Sequence, residues 1–324
     1  MSLGEARAFV ADAEQIPAAT AVGRALVDSV CTVLLGKRAA VRLVVACLLG
    51  GGHVLIEDDP GVGKTLLAKA LARSLDTVAA RVQGSVDLLP TDVTGVSVYD
   101  PSQAKWEFHP GPVFHHVLLF DEINRATPRA QAALLEAMGE RTVTVDGTTR
   151  MLPDPFLVIA TQNTLGDVGT FPLPMGQRDR FSMLVTLGLP DEATERRVLR
   201  GEGGEVALRS LRPVAGVDEW SIAIDATARV HVSEFVLDYV QAVLAATREH
   251  PEIADGASPR AGQILLRSAQ ALAALDGRAY VLPDDVKSAA PAVLAHRLRW
   301  RSTTNHNLVL RAADVIGTVT IPVP

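Results

Sequence analysis

The chain has 324 residues, of which 48% are hydrophobic, 21% charged and 4% aromatic, with a net charge of −6. That hydrophobic share supports a packed core and argues against extended disorder, and at about 100–200 residues per domain the length points to two domains. The acidic balance speaks against a nucleic-acid coat or a membrane-surface protein, and with so few aromatics Ala, Val and Leu must build the interior.

Residues 1–19 show no clear period. Residues 1–10 contain Glu5 and Arg7 and no apolar stretch, so they do not read as a secretory signal. Residues 20–35 predict a helix, with Val22, Leu26, Val30 and Val33 near one stripe. A second helix follows Lys37 and is ended by Gly50, Gly51 and Gly52. The most apolar stretch, residues 41–56, is interrupted by Arg42 and by those glycines, so it is too broken to span a bilayer. Cys31 and Cys47 lie outside any C-x-x-C spacing and read as buried thiols of a reducing compartment. A soluble, cytoplasmic protein is expected.

Val54-Leu55-Ile56 predicts a buried strand. A loop containing Pro60, Gly61 and Gly63 follows, then Lys64-Thr65 and a helix with Leu67, Ala70, Leu71 and Ser74 on one face. Strand, glycine-rich loop, Lys-Thr and helix is the context of a phosphate-binding loop. Loop N–H groups and the positive end of the helix dipole would converge on phosphate oxygens. Asp59, Pro60, Gly61, Val62, Gly63, Lys64, Thr65 and Leu66 are the candidate nucleotide-binding residues. Lys64 would reach the β- and γ-phosphates, and the Thr65 hydroxyl would ligate Mg²⁺. The strict pattern G-x-x-x-x-G-K-[ST] fails at one position, where Asp58 replaces glycine. An ordinary glycine-rich turn is the competing reading.

Residues 78–83 read as a second strand. Residues 87–94 read as a short turn or helix, and 96–99 with 105–109 as a half-exposed hairpin. Residues 117–120 form a continuous apolar run ending in Asp121-Glu122, as in a parallel strand covered on both faces. Residues 128–140 predict a helix. Residues 142–151 predict a hairpin, because Asp146-Gly147 suits a two-residue turn. Residues 156–161 form another buried strand leading to Asn163, and 182–189 a fifth. Pro190 marks a change, and from Asp191 onward nearly everything has a helical pattern. Ser258-Pro259 and Pro283 open two of these helices. The domain boundary is placed at 190/191.

A phosphate loop needs a second, acidic centre: a carboxylate on the Mg²⁺ side and a group that orients water. Asp121 and Glu122 supply these two functions, or else cap the next helix. Asn163 would hold the water or sense the γ-phosphate, or else is a turn residue. Arg260, in the first turn of a helix, would reach a γ-phosphate across a domain crevice, or else is solvated. Arg178 and Arg180 are candidates for a finger acting on a neighbouring subunit. His109, His115 and His116 lack the spacing of a metal site. The basic stretch 296–301, around Trp300, reads as a solvated helix end, with contact to nucleic acid or a neighbour as the alternative.

The order of these features resembles the AAA+ ATPases, and specifically the MoxR family, from about residue 20 to residue 324. The resemblance is carried by Pro60-Gly61-Val62-Gly63-Lys64-Thr65, Asp121-Glu122-Ile123-Asn124-Arg125-Ala126, Ala160-Thr161-Gln162-Asn163, Asp179-Arg180-Phe181 and Ser258-Pro259-Arg260. It implies a P-loop NTPase core of α/β/α type with a parallel five-stranded sheet of order 5-1-4-3-2, followed by an all-α lid domain. It makes Lys64 and Thr65 Walker A, Asp121 and Glu122 Walker B, Asn163 sensor 1, Arg180 the arginine finger and Arg260 sensor 2. Gln83 would be a polar switch holding Glu122 off the water. The hairpins at 96–109 and 142–151 would be the helix-2 insert and pre-sensor-1 hairpin. Three departures stand out: Asp59 replaces an apolar residue, Gly84 a phenylalanine, and Met175-Gly176-Gln177-Arg178 a common Glu-Ala-Gln-Leu. Asp59 is expected to weaken nucleotide binding through repulsion of the triphosphate.

The resemblance implies Mg²⁺-dependent ATP hydrolysis by a homo-oligomeric ring, expected as a hexamer, with a chaperone-like role on partner complexes and a von Willebrand A-domain protein as a plausible partner. A metal-chelatase motor subunit, a nucleic-acid motor and a non-hydrolysing scaffold are the rival readings.

Overall fold

The computed structural model describes residues 15–163, 170–302 and 307–321. At its centre lies a five-stranded sheet of β1 (Val54–Glu57), β2 (Ala79–Gln83), β5 (Val117–Asp121), β8 (Leu157–Gln162) and β9 (Met183–Val185). All its pairings are parallel, in the order β2-β5-β8-β1-β9, which is the order the resemblance implied. Every residue of β5 and β8 is buried. Continuous apolarity of these strands therefore reflects helices on both faces. The register aligns the carboxyl ends: Glu57 stands opposite Gln162, and Gln83 opposite Asp121. The loops that follow β1, β2, β5 and β8 thus gather at one edge of the sheet, where open α/β sheets bind ligands.

Helices α1 (Ile16–Val33) and α2 (Arg38–Leu49) precede the sheet, α3 (Lys64–Ser74) follows β1, α4 (Pro90–Thr94) follows β2, and α5 (Pro128–Glu140) follows β5. A single turn, α6 (Met175–Arg178), precedes β9. The rest is mostly helical: α7 (Glu192–Leu199), α8 (Gly204–Ser210), α9 (Val217–Ala228), α10 (Glu234–Glu249), α11 (Pro259–Leu275), α12 (Pro283–Leu294) and α13 (Leu308–Gly317). Ser258 caps α11, accepting the Ala261 N–H at 3.3 Å, with Pro259 in the first turn.

The first two helices join the sheet to the helices beyond residue 216. Thr20 Oγ1 donates to the Ala274 carbonyl at 2.7 Å, Arg24 Nε to Leu275 at 2.9 Å, and the Trp220 indole to Leu48 at 3.2 Å. Helix α1 has 18 residues and a mean hydropathy of 1.3, enough by length and composition to cross a membrane, yet half of it is buried inside this fold. Its core stripe includes Ile16, Leu26, Val30 and Val33.

Two antiparallel hairpins stand off the sheet, β3 (Gly95–Asp100) with β4 (Lys105–Pro110) and β6 (Thr142–Val145) with β7 (Thr148–Met151). Asp146 and Gly147 both have positive φ, 51° and 73°, as a two-residue type I′ turn requires.

Four details differ from expectation. Helix α1 begins at Ile16, because Pro17 suits a first helical turn. The fifth strand stops at Val185, because the N–H groups of Leu187 and Gly188 turn onto the Asp58 carboxylate at 2.6 and 2.7 Å and leave the ladder. The later half is not wholly helical: β10 (Ile253–Asp255) pairs antiparallel with β11 (Arg299–Trp300). Cys31 is partly exposed, whereas Cys47 is buried.

Candidate nucleotide-binding site

The loop after β1 turns twice through conformations that favour glycine, with φ of 87° at Gly61 and 104° at Gly63. Gly63 is the residue before α3, and no side chain caps that helix. Its first N–H groups therefore lack intrahelical partners and point into the loop, with the positive dipole end behind them. Val62 and Leu66 pack against the core, so each can offer a ligand only its backbone. Lys64 Nζ crosses the loop, donating to the Asp58 carbonyl at 2.6 Å and to Asn163 Oδ1 at 3.2 Å. Burial lowers the Lys64 pKa, opposed chiefly by the charge of Asp58 and then by Asp121, Glu122 and Asp59.

The Thr65 hydroxyl lies 3.3 Å from Asp121 Oδ2. Among the described residues no three His, Cys, Asp or Glu side chains converge on one point. An all-protein metal cage is therefore not what this edge offers. A hydroxyl and a single carboxylate beside an uncapped helix start suit Mg²⁺, which keeps several waters and takes its other ligands from phosphates.

Glu122 begins the turn after β5 with φ 54° and ψ 52°, a left-handed conformation that costs a non-glycine residue about 1–3 kcal/mol. Its N–H donates to Thr161 Oγ1 at 2.9 Å. Its carboxylate accepts from Gln83 Nε2 at 3.0 Å, Arg125 Nη1 at 3.2 Å and Asn163 Nδ2 at 3.3 Å. Asn163 thus stands between Lys64 and Glu122. Gly84 is dictated by close approach, since a Cβ there would lie 2.1 Å from the Glu122 carbonyl oxygen.

Asp58 anchors backbone rather than ligand. Its buried carboxylate receives the N–H groups of Leu187, Gly188 and Asp59. It ties the phosphate loop to the chain leaving β9. Asp59 is exposed and lines a hollow of about 280 Å³ against Asn307, Leu308 and Val309.

Lys64, Thr65, Asp121, Glu122, Asn163 and Gln83 are therefore brought together, and Arg180 and Arg260 are not among their partners. Arg260 Nε pairs with Asp179 Oδ2 at 3.1 Å. The Arg180 guanidinium rests on α5, where a Cβ on Gly139 would lie 2.0 Å from Arg180 Nη1. Arg178 Nε is buried with no partner among the described residues. The stretch read as a solvated helix end is partly interior. His296 and Arg297 are buried, and Arg297 donates to the Asp179 carboxylate at 2.8 Å and to the carbonyls of Asp179 and Ser182 at 3.1 Å. It pins the chain after α12 to the segment carrying Arg180.

Thr161, Arg81, Arg125, Asp179 and Arg297 received no individual role from the sequence, although all but Arg81 lie in stretches singled out there. Two had a signal. Arg81 is two residues before Gln83 on one strand face, and Thr161 is two before Asn163. Arg125 lies one turn from Glu122, whereas Asp179 and Arg297 depend on partners distant in sequence.

The parallel sheet, the phosphate loop and the Asp-Glu strand end define a AAA-type P-loop ATPase fold with a helical lid. Comparison with known proteins agrees. Residues 53–183 match the ATPase family associated with various cellular activities (AAA), and residues 245–315 match the AAA lid domain. YeaC of Bacillus subtilis is 40% identical over 92% of this chain and 94% of its own length. Chaperone MoxR1 of Mycobacterium tuberculosis is 38% identical over 82% of this chain and 72% of its own. A crystal structure of a candidate ATPase from Cytophaga hutchinsonii superimposes with a TM-score of 0.86 at 32% identity, covering 95% of this chain and 97% of that one. The chain belongs to the MoxR family of AAA+ ATPases.

Proposed function

We propose that this protein hydrolyses ATP in a Mg²⁺-dependent manner as a ring, expected as a hexamer, and uses the cycle to remodel or assemble partner proteins. The observation that supports this most is the Glu122 carboxylate, held by Gln83 and Asn163 at the same sheet edge as Lys64 and the Thr65–Asp121 pair. In this reading the N–H groups of 61–66 and Lys64 bind the phosphates. Mg²⁺, held by Thr65 and Asp121, would supply charge neutralisation at the β- and γ-phosphates. Glu122 takes the proton of the attacking water as the β–γ phosphoanhydride breaks, and Asn163 orients that water.

Arg180 would act on the site of a neighbouring copy, and Arg260 on its own. Arg260 must then leave Asp179 to do so. The division of the chain at 190/191, a cytoplasmic location and a von Willebrand A-domain partner belong to the same proposal. The name of MoxR1 includes the word chaperone, which accords with a role on protein partners.

The test is Glu122→Gln. It should bind ATP with near-normal affinity, lose hydrolysis by about 10²–10⁴-fold, and retain partners on copurification with ATP. Unchanged hydrolysis in this variant would remove Glu122 from the proposed role.

A further inference from the structure

Both oxygens of Asp121 are already engaged. Oδ1 accepts from the Thr161 hydroxyl at 3.3 Å. Oδ2 accepts from the Thr65 hydroxyl at 3.3 Å and from Arg81 Nε at 2.8 Å. The Asp121 side chain is only 6% exposed, whereas that of Arg81 is 54% exposed. A guanidinium thus reaches in from solvent onto a buried carboxylate. It also reaches sideways: Arg81 Nη2 donates to Gln83 Oε1 at 3.0 Å, and Gln83 Nε2 donates to Glu122 Oε2 at 3.0 Å. Arg81 and Gln83 are two residues apart on the edge strand β2, so both project from one face.

We infer that Arg81 is a positioning residue that competes with the divalent cation for Asp121 Oδ2 and so sets how much Mg²⁺ the nucleotide site requires. This rests on the Mg²⁺–ATP reading proposed above. The oxygen nearest Thr65 is the one Asp121 has to offer a cation held jointly with Thr65. Mg²⁺ needs its oxygens at about 2.0–2.1 Å in near-octahedral order, which leaves no room for a positive N–H donor on the same lone pairs. Arg81 must therefore yield Oδ2 first. Its exposure gives it a way out, since the long side chain can swing into solvent.

The same movement has a second consequence. When Arg81 leaves, Gln83 Oε1 loses its donor, and the amide is free to rotate away from Glu122. Occupation of the metal side would then loosen the restraint on the base. A purely structural role, in which Arg81 only neutralises a buried carboxylate, would alter thermal stability and leave the metal requirement unchanged.

The full-length chain carrying Arg81→Met tests this, with Arg81→Lys beside it. Nucleotide binding is followed with a fluorescent, non-hydrolysable ATP analogue, first in EDTA and then during titration with Mg²⁺. Arg81→Met should half-saturate at about two- to fivefold less Mg²⁺ than the unaltered protein, the factor a half-exposed ion pair is worth. Affinity in EDTA should stay within about twofold, because Arg81 opposes only the cation. Arg81→Lys keeps the charge and should need as much Mg²⁺ as the unaltered protein. An unchanged or higher Mg²⁺ requirement in Arg81→Met overturns the inference, as does an equal gain in EDTA. If Arg81→Met does not fold, Arg81→Gln replaces it, with the same outcomes. Failure of the unaltered protein to bind the analogue under either condition would instead strike the ATP-site reading itself, and this inference with it.

Discussion

Gln83 Nε2 donates to Glu122 Oε2 at 3.0 Å, so the last residue of the edge strand holds the carboxylate that follows the neighbouring strand. Register alone brings them together, since Gln83 is paired with Asp121. If this contact restrains Glu122, Gln83→Ala should raise basal ATP turnover by about three- to tenfold, the net worth of one typical intramolecular hydrogen bond. A steady-state phosphate-release assay reads this directly. A fall in turnover would show instead that Gln83 sets the productive geometry.

Gly84 gives a second prediction. Its N–H donates to the Asp121 carbonyl at 2.7 Å, and the Glu122 carbonyl fills the space a side chain would take. Gly84→Phe, which restores the residue expected from the family resemblance, should therefore be damaging here. The expected loss is about 2–4 kcal/mol of stability from overpacking, together with a shifted Glu122 turn. Thermal melting and a turnover assay should both fall, and a variant as stable and active as the parent would refute it.

Arg180 and Arg178 differ in what surrounds them. The Arg180 side chain makes no hydrogen bond or ion pair among the described residues, while Arg178 Nε is enclosed. Arg180→Ala should thus lose about 10³-fold in turnover, as removal of an arginine finger does, with nucleotide affinity unchanged. Mixing it with a Glu122→Gln chain should restore part of the activity, since some interfaces then pair an intact Glu122 with an intact neighbouring arginine. If Arg178→Ala shows this behaviour and Arg180→Ala does not, the finger is Arg178.

Acid should destabilise the protein through its buried histidines. His53 is fully enclosed, and burial, reinforced by Arg141, lowers its pKa from 6.5 to about 3. Burial beside Arg297 likewise holds His296 well below the usual range. The unfolded chain takes up these protons near pH 6.5, and the folded chain does not. Stability from these groups is therefore complete above about pH 6.5 and falls as the pH drops toward 3. His53 contributes a slope of up to about 1.4 kcal/mol per pH unit in that window, and His296 acts in the same direction. Denaturant midpoints at pH 7 and pH 5 check this, and His53→Gln should flatten the dependence.

Much of the site was legible because its residues end apolar runs. Asp121 closes a strand of wholly buried residues, and Asn163 immediately follows another. A polar residue at such a point stands at the edge of the sheet whatever the rest of the chain does. The phosphate loop was legible for a similar reason, since Gly63 needs a φ that its neighbours would resist. Arg81 and Thr161 lay within reach, two residues from positions already marked. Asp58 was legible only as a defect in a pattern. Its work, catching the Leu187 and Gly188 amides, joins positions about 130 residues apart, and no local period encodes that.

The amino-acid sequence by itself determined the strand ends at Asp121 and beside Asn163, the glycine loop, the helix starts at Ser258 and Pro283 and the I′ turn at Asp146-Gly147. Each follows from the steric and hydrogen-bonding preferences of residues close together in the chain. Only the tertiary structure decided which charges meet. Arg81 lies on Asp121, Arg260 on Asp179, and Arg297, read from sequence as solvated, is buried on Asp179 as well. Long side chains choose partners by what packing brings within about 3 Å, and that distance is set by strand register and helix contacts from across the whole chain.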